Sequence, residues 1–252
     1  MKMMKDFKLQ NFNLKPKFYG RRKGRTIRKA KSFLLDEFLP NVLLNADEQI
    51  DVKKCFPVLK EKYCLEIGFG DGEHLAAIAK SQPQNGFIGV EVYKNGVANL
   101  LSLITGIKDG NKEELFDGVC ISEDRVDNIR VFDDDIRLLF SSIPNDTFDK
   151  VFLLFPDPWP KKKHSSRRFI NVDNLKELAR IMKKGGILQV ATDHHIYKCW
   201  TLDILSKNND FRWTAKSSND WRYPPSDWFE TKYQRKAIRE GRKPVFFEFE
   251  KI

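Results

Sequence analysis

Tyr63-Cys64-Leu65-Glu66-Ile67-Gly68-Phe69-Gly70-Asp71-Gly72 is a short apolar run closed by three glycines at alternate positions. An apolar run of this length ending in Gly predicts a buried strand that empties into a tight turn. Residues 74–82 (HLAAIAKSQ) follow with helical spacing, and the alternation repeats outward from there. GFIGVE (86–91), NIRVF (128–132), FDKVFLLF (148–155) and GGILQVATD (185–193) are predicted strands. Residues 94–106, Ile136–Ser142, Asn174–Met182 and His195–Ser206 are predicted helices. Strand and helix in strict succession imply an α/β fold with a mostly parallel sheet and right-handed crossovers. KPVFFEFE (243–250) alternates like an antiparallel edge strand at the end of the sheet. Lys108–Asp124 is acidic and lacks a core pattern, so it is expected to be a surface insertion ahead of the third strand.

In an open α/β sheet the ligand sits beyond the carboxyl ends of the strands. The glycine spacing there is Gly-x-Gly-x-Gly. A dinucleotide fingerprint would need Gly at position 73, where Glu73 stands and would repel a pyrophosphate. A nicotinamide oxidoreductase is disfavoured on that ground. Glu91 ends the second strand, where an acid can accept from both hydroxyls of a ribose. Asp133, Asp134 and Asp135 follow the third strand, and one of them could accept from the amine of an adenine. Each acid alone reads as a helix cap or solvated turn. Together, on successive strand ends, they suit an adenosine cofactor with cationic groups, S-adenosyl-L-methionine (AdoMet).

The fourth strand runs into Phe155-Pro156-Asp157-Pro158-Trp159-Pro160-Lys161, where alternate prolines forbid helix and predict an extended, rigid loop. Asp157 is placed to face the cofactor. Trp159 either stacks on a base or anchors the loop, and Asp193 either contacts substrate or caps the next helix. His194 and His195 are adjacent and would diverge on a helix, with no third ligand, so no metal is expected. Cys55, Cys64, Cys120 and Cys199 are too dispersed for a zinc or redox pair.

The formal net charge of +10 is uneven: residues 1–31 hold twelve Lys or Arg against Asp6 alone. Lys161, Lys162, Lys163, Arg167 and Arg168 form a second cluster, and both suit phosphate contact. Residues 1–31 are expected to be a basic arm, disordered or loosely docked when alone, and residues 32–252 the catalytic domain. On this division, removing residues 1–25 would weaken RNA binding and leave the cofactor bound. No apolar run reaches the roughly 18 residues of a membrane span. The start shows no secretory pattern, so a cytoplasmic protein is expected.

LEIGFGDG, FIGVEVYKNGVANLL, NIRVFDDD, VFLLFPDPWPKKKHSSRRFIN, GGILQVATD and WFETKYQRKAIREGRKPVFFEF together resemble the bacterial tRNA (guanine-N7)-methyltransferase family over roughly residues 18–250. The resemblance implies a Rossmann-like class I AdoMet-dependent methyltransferase acting on the variable-loop guanine at tRNA position 46; for the chain itself a monomer or homodimer is expected. It implies AdoMet contacts at Glu66, Gly68, Gly70, Glu91 and Asp134, catalysis by Asp157, and substrate contacts at Lys161, Asp193, Thr231, Lys232, Tyr233 and Gln234. The family carries Glu where this chain has Gln234. Two other expectations compete. A methyltransferase for exocyclic amines would have a second Pro in place of Trp159. A non-catalytic RNA-binding relic would not need Glu66, Glu91 and Asp157 together.

Overall fold

A computed structural model describes residues 18–107 and 126–252. The Lys108–Asp124 insertion and residues 1–17 of the arm lie outside the described residues. The first described elements are α1 (Lys29–Phe33), a π-helical turn (Leu34–Phe38) and α2 (Leu39–Val42). The alternating part runs β1 (Tyr63–Ile67), α3 (Glu73–Ser81), β2 (Gly86–Val90), α4 (Lys94–Thr105), β3 (Ile129–Phe132), α5 (Ile136–Leu139) and β4 (Phe148–Leu154). It continues with α6 (Val172–Ile181), β5 (Met182–Thr192) and α7 (His195–Ser206). The chain ends with β6 (Phe211–Trp213), α8 (Asn219–Arg222), α9 (Lys232–Arg239) and β7 (Val245–Lys251).

The strands form one seven-stranded sheet in the order β3-β2-β1-β4-β5-β7-β6. The chain starts in the middle at β1, steps out to β2 and β3, then crosses back to β4 on the other side of β1. All pairings from β3 to β5 are parallel, and β7 pairs antiparallel with β5 and β6. The expected antiparallel C-terminal strand is therefore present, but it is not at the edge. The edge is β6, whose three residues are too few to show a period in the sequence.

Alternate residues of each strand serve opposite faces. Leu65 and Ile67 of β1, with Val151 and Leu153 of β4, pack with Leu175 and Leu178 of α6 and Tyr197 of α7. Cys64, Phe152 and Leu154 pack on the other face with Leu75 and Ile78 of α3, Leu100 and Leu101 of α4, and Leu34 and Leu39. Glu66 shares the parity of Cys64, so it faces α3, where the sequence supplies His74. Asn128, just before β3, fastens the α3–β2 connection: its Nδ2 lies within donating distance of the carbonyls of Ala79, Gln82 and Asn85 at 3.0, 3.1 and 2.8 Å.

Gly96 in α4 is where this framework meets the glycine turn. A Cβ built on Gly96 would lie 2.1 Å from the backbone oxygen of Gly70. Helical glycine is disfavoured against alanine by roughly 1 kcal/mol, but close approach of α4 to the turn leaves no room for a methyl group. Gly96→Ala is expected to lower stability by about 1–3 kcal/mol, as overpacking does, measured by urea unfolding, instead of the gain that alanine brings to an open helical position.

Candidate active site

The crossing from β3 back to β4 opens a crevice at the carboxyl ends of β1 and β4, the place where such sheets bind ligands. A pocket of about 500 Å³ occupies it. Its floor and walls come from the ends of four strands: Gly68 and Gly70 after β1, Glu91 after β2, Asp134 after β3 and Asp157 after β4. Lys232 and Tyr233 of α9 close one side.

Each residue is held by a specific local cause. Gly68, Gly70 and Gly72 have φ of 72°, 59° and 76°, the left-handed region that glycine enters without strain. No heavy atom comes within 4 Å of a Cβ built on Gly68, so the backbone there faces open space in the pocket. Glu91 is buried, and its two oxygens accept from the Gly70 N–H at 2.7 Å and the Tyr93 N–H at 2.9 Å. One carboxylate thus ties the glycine turn to the start of α4. Burial pushes the Glu91 carboxyl above its ordinary range, opposed by the N–H groups of Tyr93, Gly70 and Val92 and reinforced by Asp157. Asp134 accepts from the Asp135 N–H at 2.8 Å and pairs with Arg22 of the arm at 2.8 Å. Asp135 caps α5 through the Arg137 N–H.

Asp157 stands at the pocket mouth, and partial desolvation raises its carboxyl above the aspartate range. The loop around it is rigid but not simply extended: Phe155 and Trp159 take φ of 51° and 40°. Both precede a proline, which ordinarily drives the backbone toward the extended region. The compensation is visible. The Phe155 N–H donates to Ala191 O at 2.7 Å, and the buried Arg168 guanidinium donates to Pro158 O at 3.1 Å and Trp159 O at 2.9 Å. The Arg168 guanidinium also lies 4.5 Å from the Trp200 ring centroid. Trp159 meets Tyr19 edge-on at 6.3 Å, and the Arg167 guanidinium covers both rings at 5.0 and 4.4 Å.

The remaining expected residues fall elsewhere. Glu66 is 2% exposed, its Oε2 lies 2.8 Å from His74 Nδ1, and it lines a small neighbouring cavity with Thr231. Thr231 caps α9 by accepting from the Gln234 N–H at 3.0 Å. Gln234 is buried, and its carbonyl accepts from Trp228 Nε1 at 2.6 Å. Asp193 pairs with Arg242 at 2.5 Å, and the cap of α7 is His194, not Asp193. Lys161 is exposed ahead of the 3-10 turn Lys162–Arg167 and does not line the pocket. Among the described residues no cluster of His, Cys, Asp or Glu is arranged to hold a metal ion, and no helix is long and apolar enough to cross a membrane.

Sequence reasoning missed the part played by the arm. Phe18, Tyr19, Gly20 and Arg21 line the pocket. Asn95 of α4 grips the same segment, accepting from the Gly24 N–H at 2.9 Å and donating to Arg25 O at 2.7 Å. The aromatics interleaved with arginines in FYGRRKGR mark a binding segment but not its place beside the pocket.

A parallel sheet reversing at β1 and β4, a glycine turn open to the pocket and acids on successive strand ends are together the arrangement of a class I AdoMet-dependent methyltransferase. The family model described as "Putative methyltransferase" matches residues 60–247. The tRNA (guanine-N(7)-)-methyltransferase of Rhodospirillum rubrum is 41% identical over 238 residues, covering 92% of this chain and 87% of the relative. The chain belongs to the tRNA (guanine-N(7)-)-methyltransferase family. Relatives of the same name in Paramagnetospirillum magneticum and Bartonella quintana are each 39% identical, covering 92% and 94% of this chain and 92% and 96% of their own lengths. Among solved structures, the 16S rRNA methyltransferase KamB shares the fold at a TM-score of 0.51 and 14% identity, over 77% of this chain and 88% of that one.

Two outcomes follow from this geometry. Arg168→Ala leaves two loop carbonyls without their charged donor. It is expected to cost about 3 kcal/mol of stability, since a hydrogen bond to a charged group contributes about 1.5–3 kcal/mol, measured by denaturant unfolding. Removing residues 1–25 now takes away a wall of the pocket and the partner of Asp134. Isothermal titration is expected to show weakened AdoMet binding as well as weakened tRNA binding, against the expectation drawn from the sequence.

Proposed function

We propose that the protein transfers the methyl group of AdoMet to N7 of a guanine in tRNA, forming 7-methylguanosine, with the variable-loop guanine at position 46 as its target. The observation that carries this reading is the single pocket that joins Gly68, Gly70, Glu91 and Asp134 to Asp157 and Tyr233. Its volume lies within the range of small-molecule sites.

AdoMet supplies an electrophilic methyl group carried on a sulfonium. Guanine N7 has an in-plane lone pair and carries no proton, so the protein needs no general base before attack. The task of the chain is alignment, which can supply several kcal/mol of the barrier reduction, and stabilisation of the positive charge that grows on the ring. Gly68 and Gly70 let the cofactor approach the backbone. Glu91 lines the pocket at the end of β2 and would accept from the ribose. Asp134 would hold the adenine, and Glu66, buried and lining the small neighbouring cavity, would serve the methionine end. Asp157 accepts from guanine N–H groups and faces the developing cation. Tyr233 and Lys232 hold the base from the α9 side. Lys161 and its basic neighbours meet phosphate outside the pocket. Asp193, Thr231 and Gln234 shape the substrate side through Arg242, the α9 cap and Trp228. The protein acts in the cytoplasm as a monomer or homodimer and needs no metal. The base must be freed from its tertiary stack to enter, as in other enzymes that modify bases.

The test is methyl transfer from labelled AdoMet to unmodified tRNA, with the product located by borohydride and aniline cleavage. Wild type is expected to give cleavage at the variable-loop guanine, and Asp157→Ala to lose about 100-fold in rate, the scale of removing one electrostatic stabiliser. Transfer to an atom that does not yield cleavage would remove the N7 assignment and keep the cofactor. A pH profile gives a second check. Desolvation raises the Asp157 carboxyl, so its ionised form is gained as pH rises through a value above the ordinary aspartate range. The rate is expected to fall on the acid side of that value, and Asp157→Asn should abolish this limb.

A further inference from the structure

Asp71 and Glu73 sit where the glycine turn becomes α3, and both reach across to α9. Lys232 Nζ pairs with Asp71. Glu73 Oε2 accepts from the Lys232 backbone N–H at 3.0 Å and from Arg235 at 2.7 Å. Three contacts from two acids therefore converge on one helical turn, with partners 159 to 162 residues apart in the chain. Tyr233 and Gln234 lie between the two cations in the chain, and Tyr233 lines the pocket. It lies over the glycine turn: a Cβ built on Gly70 would be 3.1 Å from Tyr233 Cε2.

These contacts add to the Thr231 cap and the Gln234–Trp228 bond at the start of α9. Only Gln234 and Ala237 of its eight residues are buried. A solitary exposed ion pair is weak, but here the acids add polar anchorage to a turn that apolar packing does not fix. Glu73 is also the residue that breaks the dinucleotide fingerprint, so its carboxylate is excluded from a phosphate role and free for this one.

We propose that Asp71 and Glu73 are positioning residues that fasten the cofactor turn to the base-facing segment Thr231–Gln234, so that AdoMet and tRNA each strengthen the binding of the other. The proposal rests on the reading of the pocket given above. Filling the cofactor half holds the glycine turn in one conformation. The clamp passes that order to Tyr233, which then meets the base without paying for its own immobilisation. By linkage, tRNA must return the same factor to the cofactor.

The experiment is calorimetric titration of S-adenosyl-L-homocysteine, a non-reactive probe, into the full-length protein with and without unmodified tRNA. In wild type the probe is expected to bind about fivefold or more tightly with tRNA present, the lower range of measured couplings. Glu73→Gln and Arg235→Met should each bring that ratio close to one, and the double variant should lower it no further, because the pair acts as a unit. A melting scan separates an effect on folding. A lower melting temperature with the ratio preserved overturns the proposal, as does a wild-type ratio of one. A wild type that binds neither probe nor AdoMet overturns the pocket reading itself and the clamp with it.

Discussion

The carboxylate of Glu91 is the interaction on which the site depends. Two separate turns, one after β1 and one after β2, must meet at the mouth of the sheet without a covalent link. Each presents a backbone N–H that no helix or strand satisfies. Glu91 takes one on each oxygen. A buried charge is costly alone, and a buried N–H without an acceptor is costly too, so the three groups are stable only together. The raised carboxyl records the cost of that burial. Gly96 serves the same meeting by giving α4 room to approach the Gly70 carbonyl.

Much of this was legible in the sequence because it follows from period and punctuation. The five parallel strands, the helices between them and the switch of direction are written in alternating apolar runs closed by glycine or acid. Glu91, Asp134 and Asp157 could be placed at strand ends because the strands themselves could be bounded. What the sequence concealed depends on contacts distant along the chain. Nothing local to Phe18–Arg25 announces that Asn95 will hold it against the pocket. Trp213 gives no sign that its three-residue strand will lie outside β7. Thr231 carries a signal of another kind. Thr-x-x-Gln is a capping signature, and it marks the start of α9.

The proline loop shows how rigidity is obtained where function needs it. Proline restricts its own φ and its predecessor's ψ, yet Phe155 and Trp159 are turned into the left-handed region. Such strain persists only where the surroundings over-determine it. Here the surroundings are the Ala191 carbonyl and the Arg168 guanidinium. Arg168, which looks in sequence like one more cation of an RNA-binding cluster, is buried and spent on the loop, while Arg167 beside it covers the aromatic rings at the mouth. Adjacent residues of the same type thus do different work: Arg168 donates to the loop carbonyls, and Arg167 lies over the rings of Trp159 and Tyr19.

The position of β7 has a consequence for how the chain is made. β6 touches the sheet only through β7, and β5 exposes its free edge until β7 arrives. During synthesis the parallel half can form first, but it presents an open hydrogen-bonding edge to neighbouring chains, the kind that templates aggregation. The strand that finally covers it, with Phe246, Phe247 and Phe249, leaves the ribosome only after α7, β6, α8 and α9. A chain interrupted between β5 and β7 would therefore carry an adhesive flank, a natural client for chaperones and proteases.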